Sequence, residues 1–455
     1  MTRPEGNAAS STTRGLPPCQ RSGTLTPVDL ETVAALSGPV GRSLLDAATA
    51  YDDGAHARAA AGDATAVDPL KAVTHLRRQH PEAEPHLVAQ VLTQVRLRRR
   101  ARPRLGDLAA HLLLTDDGLE QATRTVVADL RAQRYVAAGA THIADLGCGI
   151  GLDAAAFARA GLSVTAVERD PVTAALATHN LNTLGIKHLV TVVTGDVTNP
   201  TLLDEVLSRA DAAYVDPARR DPSAQRDGRS VRLTDPDGWS PPWTWVQAVA
   251  ARIPRTAAKI APGIPHELIP PGGCGTWTSV DGQLVEAEVA WPALAADGAR
   301  RRAVVVRGDA QRPAVVQSGI DLVDEPRPPV GAVGRWIIEP DDAVIRAGLV
   351  AHVAALVDGR LLDRHVAYVT TDADVDITPL AARFEVHLAM PYNLAGLRTA
   401  LVQRGVGHVV VKKRATSLDV DVVRRELRLP AAPGSAVVIL ARIGDDPWAY
   451  VCAPS

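Results

Sequence analysis

Aromatic side chains make up only 3% of this 455-residue chain, which also carries just two methionines and four cysteines. So few aromatics argue against a broad stacking platform for single-stranded nucleic acid. Cys19, Cys148, Cys274 and Cys452 lie far apart with no CxxC spacing, which excludes a cysteine zinc site and a disulfide framework. The histidines show no metal-ligand spacing, so no metal is expected. The cysteine usage fits a reducing cytosol. No apolar run approaches the roughly twenty residues of a membrane span. Net charge is only −2, so nothing global points to nucleic acid or a lipid surface, and any basic face has to be local. No solenoid-type repeat is present.

What is there is an ordinary globular composition, 46% hydrophobic and 22% charged, in a chain long enough for two or three domains. Residues 1–28 are rich in Ser, Thr, Gly and Pro and lack a continuous apolar segment, so a disordered leader is expected there. Residues 29–138 read as a helical region. "DLETVAALSG", "HLVAQVLTQVRLRRRAR" and "GLEQATRTVVADLRAQRYVAAG" place apolar residues three and four apart, with Thr115-Asp116-Asp117 as caps before the last of these helices.

From about residue 139 the pattern changes. "HIADLG", "SVTAVE", "LVTVVTGD" and "AAYVDP" are short apolar runs separated by segments of helical spacing, which predicts a parallel sheet covered on both faces. "TAAKIAP" (256–262) adds a fifth strand. "TWTSVDGQLVEAEVAW" reads as a hairpin turning at Asp281-Gly282. The expected fold class is therefore α/β: a Rossmann-like sheet of five parallel strands plus an antiparallel hairpin, over residues 139–323. Pro-rich 324–334 reads as a linker. Residues 335–455 read as a small α+β domain, with strands at "RWIIE", "HVAYVTT", "RFEVHLA", "HVVVKK" and "SAVVILARI" and helices at 341–357, 393–404 and 419–427.

The candidate site lies at the strand ends. "IADLGCGIG" ends the first strand with Gly147, Gly149 and Gly151, a turn that lets a ligand approach the backbone closely. A glycine turn alone also serves to pack a helix on a sheet. Three carboxylates change the balance. Asp145 lies just before the glycines, where an ammonium group could find it. Glu168 closes the second strand, placed to accept from two ribose hydroxyls. Asp196 ends the third, within reach of an adenine amino group. Three acids at three strand ends favour a ligand with a cation and a diol over a phosphate-rich one, and S-adenosylmethionine has that chemistry.

With these motifs the sequence resembles the class I S-adenosylmethionine-dependent methyltransferases over about residues 140–292. Asp145 and the glycines match the family's first motif, Glu168 its second, Asp196 its third and Asp216-Pro217 its fourth. More narrowly, "LRRRARPRLGD", "TDDGLEQATR", "LGCGIGLDA", "DPARR" and "KIAPGI" resemble bacterial methyltransferases with a C-terminal THUMP-like domain of ferredoxin-like, α+β type. The resemblance implies methyl transfer from S-adenosylmethionine in the cytoplasm. It implies Asp216 and Pro217 as catalytic candidates, to which the chain's own fourth motif adds Arg219, and the acids and glycines above as cofactor ligands.

The fourth motif departs from the Asn/Asp-Pro-Pro-aromatic form of many amino methyltransferases, since Ala218 and Arg219 replace the second proline and the aromatic. A guanidinium can stack on a base or bind a phosphate bidentately. Arg220 and the Lys412-Lys413-Arg414 cluster are accordingly expected as RNA-binding residues, with structured RNA such as tRNA or rRNA as the partner. The arginines of 96–104 fit a phosphate backbone or a solvated helix face equally well. Cys274 reads as a small buried residue. The alternatives are a methyltransferase acting on a protein or a small metabolite, or a non-catalytic RNA-binding protein with a vestigial fold.

Overall fold

Elements were assigned on a computed structural model that describes residues 28–63, 65–218, 220–226, 229–232, 235–308 and 312–454. Residues 1–27 of the expected leader lie outside the described residues. The chain then forms α1 (Leu30–Ser37), α2 (Pro39–Ala60), α3 (Pro69–Gln79), α4 (Pro85–Leu105), α5 (Asp116–Gln121) and α6 (Thr125–Ala137). Apolar residues at helical spacing, such as Val88, Val91 and Val95 of α4, bury one stripe against Leu36, Leu44 and Leu76. Ile150 and Leu152 of the glycine turn belong to the same cluster, so the helical region and the turn share a core.

The helix expected over 118–139 is two helices. Arg104 donates to the carbonyls of Leu119 (2.8 Å) and Ala122 (2.9 Å), and so holds residues 122–124 out of the helical path. Upstream of the break, the extended stretch Leu112–Leu114 is fully buried. Its backbone is paired by two side-chain amides: Leu113 N donates to Asn180 Oδ1 (2.7 Å), and Leu114 N to Gln94 Oε1 (2.8 Å). Buried backbone groups away from a sheet need such partners.

The central sheet comprises β1 (His142–Leu146), β2 (Ser163–Glu168), β3 (Val190–Thr194), β4 (Ala212–Val215), β7 (Thr256–Ile260), β8 (Cys274–Val280), β9 (Gln283–Ala290), β10 (Arg301–Val306) and β11 (Ala314–Ser318). A separate two-stranded ribbon, β5 (Arg220–Arg226) with β6 (Arg229–Arg232), follows β4. The sheet order is β11-β10-β8-β9-β7-β4-β1-β2-β3. β3, β2, β1, β4 and β7 are parallel, and the β8–β9 hairpin enters antiparallel to β7 through β9. This is the expected α/β class. Asp281 (φ 50°) and Gly282 (φ 77°) both take the positive φ that a tight two-residue hairpin turn demands. Helices α7 (Leu152–Arg159), α8 (Pro171–Thr183), α9 (Pro200–Leu207) and α10 (Trp243–Arg252) cover the parallel strands.

The remainder forms β12 (Trp336–Pro340), α11 (Asp342–Arg346), α12 (Val350–Leu356), β13 (Arg360–Asp363), β14 (Val366–Thr371), β15 (Ala381–Pro391), α13 (Leu394–Gln403), β16 (Val406–Arg414), α14 (Val420–Glu426), β17 (Gly434–Ile443) and β18 (Asp446–Cys452). Its seven strands run in the order β13-β14-β12-β15-β18-β17-β16. The helix expected over 341–357 is interrupted at Gly348 (φ 69°), where Arg301 Nη1 donates to the carbonyls of Ala347 and Gly348, both at 2.8 Å. Strands β13 and β18, short or polar at one end, were not expected from the pattern. The second sheet curls: Asp363 Oδ2 at the end of β13 accepts from Gly444 N beyond β17 (2.8 Å), and Tyr368, Phe384, Ile439 and Tyr450 are buried inside the curl. Trp336, Val344 and Val369 share one buried cluster with Val289 and Val305, so residues 324–334 connect two parts that are packed on each other.

Candidate active site

The carboxyl ends of β1, β2, β3, β4 and β7 open on a cleft of about 1210 Å³. In an open parallel sheet this is where the connections diverge to opposite faces and leave room for a ligand. Its other wall comes from the N-terminal region: Leu114–Gly118 and Glu120–Arg124 line it together with Arg104.

In one half, the glycine turn hangs from β2, with Gly147 N and Cys148 N both donating to Val167 O at 3.0 Å. Gly147 (φ 95°) and Gly151 (φ 85°) hold conformations that other residues adopt at a cost. A Cβ at Gly147 would also stand 3.1 Å from the Asp216 carbonyl, whereas a Cβ at Gly149 would meet nothing within 4 Å, so that residue faces the open cleft. Glu168 Oε2 accepts from Gly149 N (3.0 Å) and its Oε1 from Asp170 N (2.9 Å), which locks the carboxylate at the rim. Asp196 Oδ1 accepts from Thr198 N (2.8 Å) and Thr198 Oγ1 (2.7 Å), and these bonds hold its carboxyl below the usual range. Asp145 differs. It is fully buried, neither oxygen has a hydrogen-bond partner among the described residues, and it lines the cleft. Burial, then the like charges of Asp153 and Asp216, push its carboxyl well above the usual carboxylate range. A buried acid without a partner is costly, and a cationic ligand group would remove that cost.

In the other half, Asp216 ends β4 and Pro217 is buried beside it. The chain is then stitched back by a two-way bridge, Ala218 N to Ser240 O (2.8 Å) and Ser240 N to Ala218 O (3.0 Å). The partner of Asp216 is Lys259, whose Nζ lies 2.9 Å from Asp216 Oδ2. Burial works against the Lys259 ammonium, but Asp216, then Glu286 and Asp153, outweigh it and hold the amine above its ordinary range. A buried ionic network continues from there. Thr123 Oγ1 donates to Asp153 Oδ2 (2.7 Å), and Arg131 binds Asp153, Glu286 and Glu288 (the last at 2.7 Å) while its guanidinium lies 4.5 Å over the Tyr214 ring. Lys259, Thr123 and Glu286 were not singled out from the sequence. The available signal was the lone lysine inside "TAAKIAP", since a charge in a buried strand requires a partner.

The remaining candidates are elsewhere. Arg219 lies outside the described residues, and Arg220 opens β5. The basic trio is not one patch. Strand alternation sends Lys412 and Arg414 to one face, where both bind Glu339 (2.5 and 3.5 Å) and lie over the Phe384 and Tyr368 rings. Lys413 goes to the other, exposed face, where its Nζ donates to Leu418 O (2.7 Å). In 96–104, Arg98 donates to Leu112 O (2.8 Å), Arg99 pairs with Asp52 and Asp53, Arg100 with Asp116, and Arg104 holds the break before α6, so much of this charge is spent internally. Cys274 is buried, and that burial raises its thiol pKa.

Fold and cleft together define a Rossmann-like α/β protein with an open cleft at the carboxyl ends of its parallel strands. Three family models match the chain: RNA cap guanine-N2 methyltransferase over residues 140–243, THUMP domain-like over 381–454, and a domain of unknown function over 29–101. An uncharacterized S-adenosylmethionine-dependent methyltransferase of Mycobacterium tuberculosis, found in strains H37Rv and CDC 1551, is 32% identical over 396 residues, 84% of this chain and 100% of that protein. The chain belongs to the S-adenosylmethionine-dependent methyltransferases, and S-adenosylmethionine is its cofactor. A crystal structure from Porphyromonas gingivalis W83, provisionally described as a methyltransferase, has the same fold, with a TM-score of 0.65 at 20% identity over 82% of this chain and 92% of that one. Among the described residues no helix is long and apolar enough to cross a membrane.

Proposed function

We propose that the chain methylates structured RNA, with Asp145, the 147–151 turn, Glu168 and Asp196 holding the cofactor and Asp216 and Pro217 receiving the acceptor. The observation that carries the cofactor assignment is Asp145, a buried carboxylate lining the cleft whose two oxygens have no partner among the described residues, a fitting counter-charge for an amino-acid ammonium group. Glu168, rigidly held at the end of β2, retains lone pairs for a ribose diol, and Asp196 sits one strand further along the cleft. Bound there, S-adenosylmethionine supplies an electrophilic methyl group. The protein's own contribution is mostly positioning: Asp216 accepts hydrogen bonds from the acceptor and opposes the positive charge that grows on it, in a cleft where a fixed carboxylate counts for more than in water.

RNA as the acceptor is supported by the two family models, RNA cap guanine-N2 methyltransferase and THUMP domain-like. Arg219 and Arg220, immediately after the fourth motif, and the exposed Lys413 are the proposed phosphate contacts. Lys412 and Arg414 are left out because Glu339 holds them. The test is methyl transfer from labelled S-adenosylmethionine to RNA from cells lacking the protein, read by nucleoside mass analysis, alongside a salt titration of RNA binding. A modified nucleoside is expected, together with an affinity whose log–log slope against salt is about −0.7 to −0.9 per phosphate contact. Label confined to protein or metabolites overturns the RNA reading.

A further inference from the structure

Lys259 sits in the buried strand β7, and its three ammonium protons are all used within the protein. They go to Asp216 Oδ2 at 2.9 Å, to the Gln121 carbonyl at 3.2 Å and to Thr123 Oγ1 at 3.2 Å. While those bonds persist the amine has no proton left for a ligand, and it is not a base. Nor is a buried ion pair an efficient source of stability, because desolvation offsets much of the attraction. Charge balance explains why a cation stands here but not how it is aimed: Arg131 is one charge shared by Asp153, Glu286 and Glu288, with Arg134 on the last, so Lys259 offsets negative charge that remains. What the pair does fix is geometry. One oxygen of Asp216 is tied to β7 and, through the same ammonium, to the break between α5 and α6. Among the described residues nothing bonds the other oxygen, and the Asp216 side chain is one-quarter exposed in the cleft.

We propose that Lys259 is the positioning residue of methyl transfer, clamping Asp216 Oδ2 to the Gln121–Thr123 segment so that Oδ1 faces an acceptor bearing an N–H or O–H donor. This rests on the reading that Asp216 receives the acceptor, and it does not depend on the acceptor being RNA. It also gives the N-terminal helical region a part in the chemistry. Arg104 holds the break after α5, the break presents the Gln121 carbonyl and the Thr123 hydroxyl, and these two groups with Asp216 form the tripod on which the ammonium stands. An uninterrupted helix over these residues would spend the Gln121 carbonyl on its own backbone bond.

The test uses the full chain and, as acceptor, a whole extract of cells lacking the protein. The extract is incubated with labelled S-adenosylmethionine and then separated into RNA, protein and small-molecule fractions. The labelled fraction reports on the acceptor class, and the rate reports on Lys259, so the two readings fail separately. Lys259→Met should lower the rate at saturating S-adenosylmethionine about 100-fold, with cofactor affinity by calorimetry within about threefold of wild type. Lys259→Arg should recover about tenfold of that loss. In the Asp216→Asn background, Lys259→Met should add less than about a threefold loss, because a residue acting only through Asp216 has nothing further to remove. Losses that multiply, or a Lys259→Met rate within about fivefold of wild type, overturn the proposal.

A second measurement needs neither turnover nor a lysine variant. Acylation of Lys259, followed by mass spectrometry, should be slow in the wild type and about tenfold faster in Asp216→Ala and in Thr123→Val, since free amines react when exposed and unpaired. Equal acylation rates in the three proteins overturn the clamp.

Discussion

The methyltransferase sheet and the C-terminal sheet both carry charged residues at the ends of their strands, and treat them in opposite ways. In the first, the acids of β1 and β4 face a cleft, with both oxygens of Asp145 unpartnered and one oxygen of Asp216 unbonded among the described residues. In the second, Lys412 and Arg414 at the end of β16 close on Glu339 at the end of β12, and Arg414 also reaches Asp342 (3.4 Å). The difference lies in sheet shape. Parallel strands with helices on both faces leave their carboxyl ends splayed around a crevice, so charges there have no intramolecular partner unless one is supplied. A sheet that curls until its ends meet brings opposite charges together and uses them up. Charges that point into the curl are therefore used up, whereas those at the ends of the open sheet are left to face the cleft.

That contrast can be broken most directly at Asp216. Asp216→Asn should cut turnover by about 10²–10³-fold, the usual cost of losing one well-placed electrostatic group, while S-adenosylmethionine affinity stays within a few-fold. Equal losses in calorimetry and in rate would place Asp216 with the cofactor-holding residues instead.

A smaller effect is expected at Asp145. Asp145→Asn should weaken S-adenosylmethionine by roughly 1.5–3 kcal/mol, the range for hydrogen bonds to a charged group. The same substitution should stabilise the ligand-free protein at neutral pH. The Asp145 carboxyl is raised above its ordinary 3.8 by burial, so the native state holds the proton more tightly than the unfolded chain. Its contribution is then fully present below about pH 4 and is lost as pH rises toward the folded-state pKa. Thermal melts of the ligand-free wild type should therefore fall over this window, and those of Asp145→Asn should fall less. Parallel curves for the two proteins would mean that Asp145 has a partner in solution.

The smallest effect belongs to the closed sheet. Glu339→Gln should cost only about 1 kcal/mol of stability, because Lys412 is partly exposed and solvent already screens the pair. Cofactor binding should not change. A large loss of RNA affinity in Lys412→Met with unchanged stability would reverse the comparison, since it would make this charge a contact and not a staple.

The half of the cleft at β1, β2 and β3 was largely legible. Gly147, Gly149 and the acids 145, 168 and 196 fall at strand ends that the alternation of strand and helix locates, and the structure brings them to one cleft, while Gly151 packs the same turn against Ala177 and Leu181 of α8. The half at β4 and β7 was legible only at Asp216 and Pro217. Lys259 stood inside a quoted strand, but its partner lies 43 residues away and its other contacts more than 130 away, so nothing local indicated where its charge went. The break at Ala122–Arg124 was invisible for a similar reason. Its apolar spacing continues the helical pattern, and the groups that hold the break, Arg104 of α4 and Lys259 of β7, reach it from elsewhere in the chain.

By itself the sequence determined the five parallel strands, the hairpin that follows them and the acids at the ends of β1, β2, β3 and β4, while the addition of β10 and β11 to the sheet and the β5–β6 ribbon were not expected. Periodicity, turn glycines and hairpin residues act over a few positions and carry that information locally. Only the tertiary structure decided which charges remain available. That depends on whether two strand ends far apart in the chain are splayed, as at Asp145, or brought together, as at Lys412 and Glu339, 73 residues apart. Burial then makes the outcome matter, because a charge removed from water is costly to leave without a partner.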